Sequence, residues 1–324
     1  MSNSVSLIIP TKNRPRDLEV ALESVFQQTD LPVQLIIADQ SPTDECKRRV
    51  EMQFAQASPE VRERVKLCYI LDATISGLTV ARNRAMELAQ GDIWLFLDDD
   101  VILETNFLEE LLTVYQQHPY FSGVSGIVSN YQRPSWAYRL WASAFVCGPF
   151  HDERQLIYWQ ADRLSNVEPI VVQKLGGGLM SFRAESIRGH RFDENLRGVS
   201  DGEDVDFCTR LGPDAVLAIA PRARLVHKAS PIGRSQDHWV RRFAQANTYL
   251  YHRNWKFDLG NRLSFAWLNV GLGLVATFAS LRRISAAPWR TFIQSAREGR
   301  SASRPEPCTL PEIPTTPTSR AIAR

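Results

Sequence analysis

Asp98, Asp99 and Asp100 close an apolar run, Ile93-Trp94-Leu95-Phe96-Leu97. Adjacent carboxylates repel one another and lose hydration when buried. A divalent cation held against phosphate oxygens removes that penalty, and hard oxygen ligands suit Mg2+ or Mn2+. In an extended chain, alternation puts Asp98 and Asp100 on one face and Asp99 on the other. A bend after Leu97 would instead let two neighbours reach one ion. So few carboxylates leave room for phosphate oxygens and water. The competing reading is a solvated acidic loop. Its place after a buried-type strand favours a metal-dependent enzyme acting on a nucleotide-linked substrate.

A second acidic group, Asp201, Glu203, Asp204 and Asp206, begins a helix-like stretch. Acids near a helix N-terminus complement its dipole, but this is more acid than capping requires. Asp204 is suited to accept a proton as general base, with Glu203 orienting the acceptor or supporting the loop. Asp39 ends a strand and can accept hydrogen bonds from a base or ribose, or simply begin a turn. Arg82 and Asn83 fall in the first turns of a helix after Gly77; they could meet phosphate or nucleoside, or lie at the surface. His227 follows the strand-like run Ala223-Arg224-Leu225-Val226 and could reach the metal or a diphosphate. Lys228 and Arg234 could offset phosphate charge in a closing loop.

The elements that must bring these residues together are legible in the first hundred positions. Residues 5–9, 33–38, 66–71 and 93–97 read as strands, ending near Thr11, Asp39, Asp72 and Asp98. Leu18, Ala21, Leu22, Val25 and Phe26 recur at helical spacing, with Asp17 at the helix start. Thr79 is expected to cap a helix that carries Ala81, Ala85, Met86 and Leu88 and stops near Gly91. The order predicts an α/β fold with a mostly parallel sheet flanked by helices. In such sheets ligands bind beyond the strand C-termini, so polar residues distant in sequence converge. A further helix is expected from Thr105 to about His118. Residues 130–170 are aromatic and Arg-rich without a clean period and read as a long loop beside a site. Gly176, Gly177 and Gly178 allow close backbone approach to a ligand.

The 324 residues suffice for one large domain and a smaller appendage. The boundaries expected are 1–235, a basic, aromatic, helical region at 236–300, and a Pro/Ser/Thr-rich, disordered tail at 301–324. Five cysteines, none in a CxxC pair, indicate neither a disulfide framework nor a thiolate zinc site. They fit a reducing compartment. No basic leader or long apolar run precedes the first strand, so no cleaved signal peptide is expected.

The net charge of +2 is uneven: residues 234–300 carry eleven Lys/Arg against three Asp/Glu. Inside that region, 263–281 is uncharged and flanked by Arg262, Arg282 and Arg283. At 19 residues it is marginal for a bilayer crossing. It could span, re-enter or lie on a membrane, or form a buried helix. The apolar content points to an anionic membrane surface, and no nucleic-acid partner is expected. No Gly-x-Gly-x-x-Gly follows the first strand and no Gly-Lys-Ser/Thr loop occurs, which weighs against an NAD dehydrogenase and a P-loop ATPase.

The ordered set Ile8-Ile9-Pro10-Thr11-Lys12-Asn13-Arg14, Ile37-Ala38-Asp39, Gly77-Leu78-Thr79-Val80-Ala81-Arg82-Asn83, Phe96-Leu97-Asp98-Asp99-Asp100, Gly177-Gly178-Leu179-Met180-Ser181-Phe182-Arg183 and Gly202-Glu203-Asp204-Val205-Asp206 resembles the inverting GT-A glycosyltransferases of family 2. Lys12 departs from the small or aromatic residue usual there, and Asp72 stands where Asn is frequent. The resemblance implies that Pro10, Thr11 and Arg14 line a nucleotide pocket, that Asp39 contacts the base and that Arg82 faces the nucleotide. It places Asp98 near ribose or donor sugar, Asp100 on a divalent ion, and Asp99 in either role. Gly177 and Gly178 would shape the donor and acceptor site, Asp204 would be the catalytic base and His227 a metal or diphosphate ligand. The implied reaction moves a sugar, with inversion, from a nucleoside-diphosphate sugar to a glycan or lipid-linked acceptor. The basic and apolar C-terminal region suggests that it takes place at the cytoplasmic face of a membrane, with the donor open among UDP, dTDP and GDP sugars.

Two other classes compete. A sugar-phosphate nucleotidyltransferase would carry a glycine-rich basic loop after the first strand, where this chain has basic residues without glycine. A non-catalytic glycan-binding protein would not need the ordered acids from Asp39 through Asp204.

Overall fold

Apolar runs ending in polar residues become the inner strands of a sheet. In the computed structural model, which describes residues 3–196, 202–228 and 239–303, β1 (Val5–Thr11) opens the chain and leads into α1 (Pro15–Phe26). Pro15 occupies the helix start, where its missing N–H is not needed, and Asp17 sits in the first turn. Then follow β2 (Gln34–Asp39), α2 (Glu45–Gln56), α3 (Pro59–Arg64), β3 (Lys66–Leu71), α4 (Leu78–Met86) and β4 (Ile93–Leu97). The four strands pair in parallel, with β1 between β2 and β4 and with β3 outside β2. Alternation divides their side chains between two apolar layers. Leu7, Ile9, Leu35 and Ile37 meet Leu18 and Leu22 of α1, whereas Ile8, Ile36 and Phe96 meet Ala81 and Ala85 of α4.

Beyond β4 the sheet becomes mixed. β5 (Val101–Leu103), α5 (Phe107–Gln117) and β6 (Phe121–Val128) precede an excursion with α6 (Trp136–Phe145) and α7 (Glu153–Tyr158). The chain returns as β7 (Ile170–Val172), β8 (Leu179–Arg183), α8 (Glu203–Arg210) and the long β9 (Val216–His227). β8 pairs antiparallel with β4 and β6, while β9 runs parallel to β6 and antiparallel to β5 and β7. The helices α9 (Trp239–Asn254), α10 (Leu259–Arg283) and α11 (Ala287–Ala302) end the described chain.

Two local expectations change. Residues 130–170 hold two α-helices. α6 buries no residue and packs on α10, a partner distant in sequence. The N-cap of α4 is Gly77, at a φ of 109° that favours glycine, and Thr79 lies buried inside the first turn. Asp201, Arg234 and the tail after Ser303 lie outside the described residues.

Candidate active site

Asp98 still belongs to the β4 ladder: its N–H donates to the Gly178 carbonyl at 3.2 Å. The chain then turns, and the next two acids separate. Asp99 faces β1, accepting from Thr11 Oγ1 at 2.7 Å and from Arg14 Nη1 at 2.9 Å. Burial pushes its carboxyl up to about 6 despite those two partners. Burial also opposes the charge of Arg14, but Asp99 and Asp100 keep its pKa above the ordinary value. Asp100 enters the short β5–β9 ribbon, where Val101 faces His227 and the Lys228 N–H donates to the Asp100 carbonyl at 2.9 Å. That register brings His227 Nε2 to 2.9 Å from Asp100 Oδ1.

Asp98, Asp100 and His227 thus offer three ligand atoms, all within 4.8 Å of one another. Asp100 is buried and Asp98 half-buried. Two carboxylates and an imidazole form an open donor set that fits a divalent ion and leaves further positions for oxygen ligands.

Gly177 and Gly178 lie directly over the acids. A Cβ on Gly178 would stand 2.7 Å from Asp98 Oδ2, and one on Gly177 would stand 2.5 Å from Glu203 Oε1. Any side chain at either position would push a carboxylate away. Beneath them Arg82 is fully buried, donating to the Gly177 carbonyl at 2.5 Å and to Glu203 Oε1 at 3.1 Å, and lying 3.7 Å from Asp98 Oδ1. Arg82, expected to face a nucleotide, has no exposed surface and is held among these groups. Burial, then the charge of Asp204, raises the Glu203 carboxyl well above its usual range, with Arg82 opposing. The Glu203 Oε2 atom has no hydrogen-bond partner among the described residues.

Asp204 faces the other way. Its Oδ2 accepts from the Gly177 N–H at 2.8 Å and from Arg154 Nη1 at 2.7 Å; its Oδ1 accepts from the Val205 N–H at 2.8 Å. Burial alone would raise its pKa, but the charge and hydrogen bond of Arg154 and the two amides outweigh it and hold Asp204 ionised below the usual range. Arg154 is itself anchored by a bidentate pair with Asp152, at 2.8 Å on both nitrogens, and by the Leu175 carbonyl at 2.8 Å. Burial works against the Arg154 charge, and Asp204 and Asp152 more than restore it.

Asp204 forms part of the wall of a cleft of about 970 Å³. α6 and α7 supply Trp136 and Arg154, and α9 with the residues after it supplies Phe243, Asn247 and Trp255. The helical region is tied to this side by Asn254, which donates to Asp206 at 2.9 Å, and by Tyr249, which donates to Asp193 at 2.5 Å.

Pro10, Thr11 and Arg14 lie at the end of β1 beside the acids. Asp39 is buried at the neighbouring strand end, accepting from the Ser41 N–H at 2.8 Å and from Tyr69 Oη at 2.7 Å. Asp72 accepts from the Thr74 N–H and hydroxyl in an exposed turn, apart from the acids. Asn83 clamps the backbone of Phe192 at 2.8 and 2.9 Å. Sequence reasoning missed Arg154, Asp152 and Tyr69. The one available signal for Arg154 is an Arg flanked by acids, Asp152-Glu153-Arg154, in an aromatic stretch.

A family model described as glycosyl transferase family 2 matches residues 6–187. An uncharacterized glycosyltransferase of Haemophilus influenzae is 32% identical over 115 residues, covering 36% of this chain and 35% of that protein. The chain spans about a third of the length of the curated relatives first matched. The succinoglycan biosynthesis protein ExoM of Rhizobium meliloti is 28% identical over 227 residues, covering 67% of this chain and 66% of that protein. Among solved structures, a mannosyltransferase of Pyrobaculum calidifontis in complex with GDP-Man and Mn2+ aligns with a TM-score of 0.55 at 18% identity, covering 94% of this chain and 87% of that one. At that identity the likeness concerns the fold, which is GT-A-like, with an apolar helical region at the C-terminus.

Proposed function

The chain belongs to glycosyl transferase family 2, and from that premise we propose that it is a metal-dependent, inverting glycosyltransferase that moves a sugar from a nucleoside-diphosphate sugar to a hydroxyl of a glycan or lipid-linked acceptor. One observation carries this reading. Two adjacent glycines bridge the two acidic groups, Gly178 against Asp98 and Gly177 against Asp204. A donor held over Asp98 and Asp100 would thus present its anomeric carbon toward a base that opens on the aromatic cleft.

In this reading Pro10, Thr11 and Arg14 flank the nucleotide, and Asp39, holding Tyr69 and Ser41, forms the pocket floor beneath the base. Asp98, Asp100 and His227, whose ligand atoms lie within 4.8 Å of one another, would hold Mn2+ or Mg2+. When bound, that ion supplies Lewis-acid stabilisation for the departing diphosphate. Asp99 fixes Arg14 and Thr11 so that the guanidinium stays beside the acids. The acceptor hydroxyl donates its hydrogen bond to Asp204, whose ionised state Arg154 maintains. Its oxygen attacks the anomeric carbon, the bond to the diphosphate oxygen breaks on the opposite face, and the hydroxyl proton passes to Asp204. A single displacement inverts the anomeric configuration. Glu203 orients this loop through Arg82.

The cleft suits a sugar acceptor because indole and phenyl faces pack against pyranose C–H surfaces while Asn247 offers polar contacts. The relative named for succinoglycan biosynthesis supports a role in polysaccharide assembly. A cytoplasmic membrane face is the proposed location. The test is a panel of UDP, dTDP and GDP sugars with Mn2+ or Mg2+, read by calorimetry and by donor hydrolysis. NMR of the anomeric proton in product would then report inversion. Silence across the panel, or a retained anomer, would refute the respective part.

A further inference from the structure

The apolar helix α10 presents two faces with different fates. Leu268, Leu272 and Ala276 are buried against the neighbouring helices. Gly271 packs against the ring of Phe145, and Trp141 Nε1 donates to the Gly271 carbonyl at 3.0 Å. The opposite face exposes Leu263, Trp267, Val270, Leu274, Phe278 and Leu281. Their spacings of four, three, four, four and three residues form a single stripe along the helix. At about 1.5 Å per residue the stripe is ~27 Å long. α11 adds exposed Trp289 and Ile293, and a groove of about 810 Å³ lined by α10, α11 and by Thr248 and His252 of α9 lies between the sets.

Two further features mark this face. Residues 259–302 carry six arginines, Arg262, Arg282, Arg283, Arg290, Arg297 and Arg300, against one acid, Glu298. At the turn between the helices, Ile284 adopts a left-handed conformation (φ 49°, ψ 47°) and is 95% exposed. A β-branched residue is disfavoured there and glycine is the ordinary occupant. A strained, fully exposed isoleucine between arginines is poorly placed for water and well placed for an apolar phase.

We infer that the α10–α11 face docks on an anionic lipid bilayer, with α10 lying along the surface instead of crossing it. The proposal deepens the membrane partner of the preceding reading. A crossing helix would draw the helices packed on it toward hydrocarbon, with Arg253 at the end of α9 and the Arg241–Glu298 pair between α9 and α11. An in-plane helix keeps those groups wet, sinks the stripe to the acyl boundary and sets the arginines among anionic headgroups.

The test uses the full chain with sealed phosphatidylcholine vesicles, with and without phosphatidylglycerol, read by flotation. Expected is flotation that depends on the anionic lipid, weakens with salt, is released by alkaline carbonate, and leaves no protease-protected fragment. Phe278→Glu, at a 70% exposed position, should lower the partition coefficient by at least ~10-fold, as should Arg282→Glu with Arg283→Glu. Ile284→Gly should raise the melting temperature yet weaken flotation, which loss of folding cannot mimic. A carbonate-resistant, protease-protected α10 would overturn the proposal in favour of a crossing helix. A dimer broken by Phe278→Glu, with vesicles bare, would overturn it in favour of a second copy. Calorimetry with nucleotide sugars on the same samples separates failure here from failure of the glycosyltransferase reading.

Discussion

Arg154 Nη1 stands 2.7 Å from Asp204 Oδ2, joining an excursion outside the sheet to the start of α8. The pair favours the ionised form that burial opposes, and among the described residues the second oxygen, Oδ1, accepts from the Val205 N–H alone. An ionised oxygen with spare acceptor capacity on a cleft wall is what removal of a hydroxyl proton requires.

Replacing Arg154 by Met should therefore move the acid limb of the kcat–pH profile to higher pH. The sign follows from the cause: Arg154 lowers the Asp204 pKa, so without it burial dominates and protonation occurs at higher pH. In the wild type, Asp204 contributes stability above its unfolded pKa of about 3.9, which is lost as pH falls through its lower folded value. The variant should also lose ~3 kcal/mol at neutral pH from breaking a mostly buried pair. An unchanged acid limb in a folded variant would contradict the assignment.

Asp204→Asn keeps the shape and removes the proposed base. Turnover should fall by ~10²–10⁴-fold, with donor affinity by calorimetry close to wild type. Wild-type kcat in this variant would remove Asp204 from the mechanism.

Gly178→Ala tests the separation of the two half-sites. Its Cβ would lie 2.7 Å from Asp98 Oδ2, so the carboxylate must swing away. Donor and metal affinity should drop by about tenfold or more, equivalent to ~1.4 kcal/mol, while the melting temperature changes little. Donor binding that survives intact would show that Asp98 need not hold its present position.

The parallel half of the fold was legible because β1, β2 and β4 are continuous apolar runs buried on both faces, each ending in a polar residue. Of the two geometries open for the acids, extended chain or bend, only the ladder up to Asp98 was legible; the chain turns at Asp99 and Asp100. The mixed half was not. β6 has glycines at 123 and 126 and two register shifts against β9, so it carries no clean period. Residues 130–170 hid α6 because its partner is α10, more than a hundred positions later. Arg82 was legible as important and not as buried, for its burial depends on Glu203 and Phe192, both distant in sequence. Arg154 depends on a contact fifty residues away, and no local spacing encodes that.

Arg82→Met should unfold the site more severely than Glu203→Gln. Arg82 is fully buried and holds Glu203 Oε1, the Gly177 carbonyl and, at 3.7 Å, Asp98. Its loss strands these acceptors and should cost ~3–5 kcal/mol in denaturant unfolding. Burial already favours the neutral form of Glu203, so an amide there should cost ~1 kcal/mol or less. Equal losses would mean that Glu203 is ionised and that the two charges act as one pair, against a neutral Glu203.

The proposed ligand set makes separate demands on Asp100 and His227. Asp100 is buried and touches His227 Nε2 at 2.9 Å, so removing either leaves the other facing an incomplete shell. Asp100→Ala should abolish Mn2+-dependent donor binding. His227→Ala should weaken Mn2+ by ~10–100-fold or more, the range seen even for outer-shell partners, with the nucleotide still bound through the end of β1. Chelation by EDTA should reduce wild-type donor affinity to the level of the Asp100 variant. It should leave the fold intact, because the apolar layers around β1 and β4 do not include these three side chains. Donor affinity in EDTA equal to that in Mn2+ would separate the acid cluster from metal binding, since the carboxylates would then face the diphosphate without compensation.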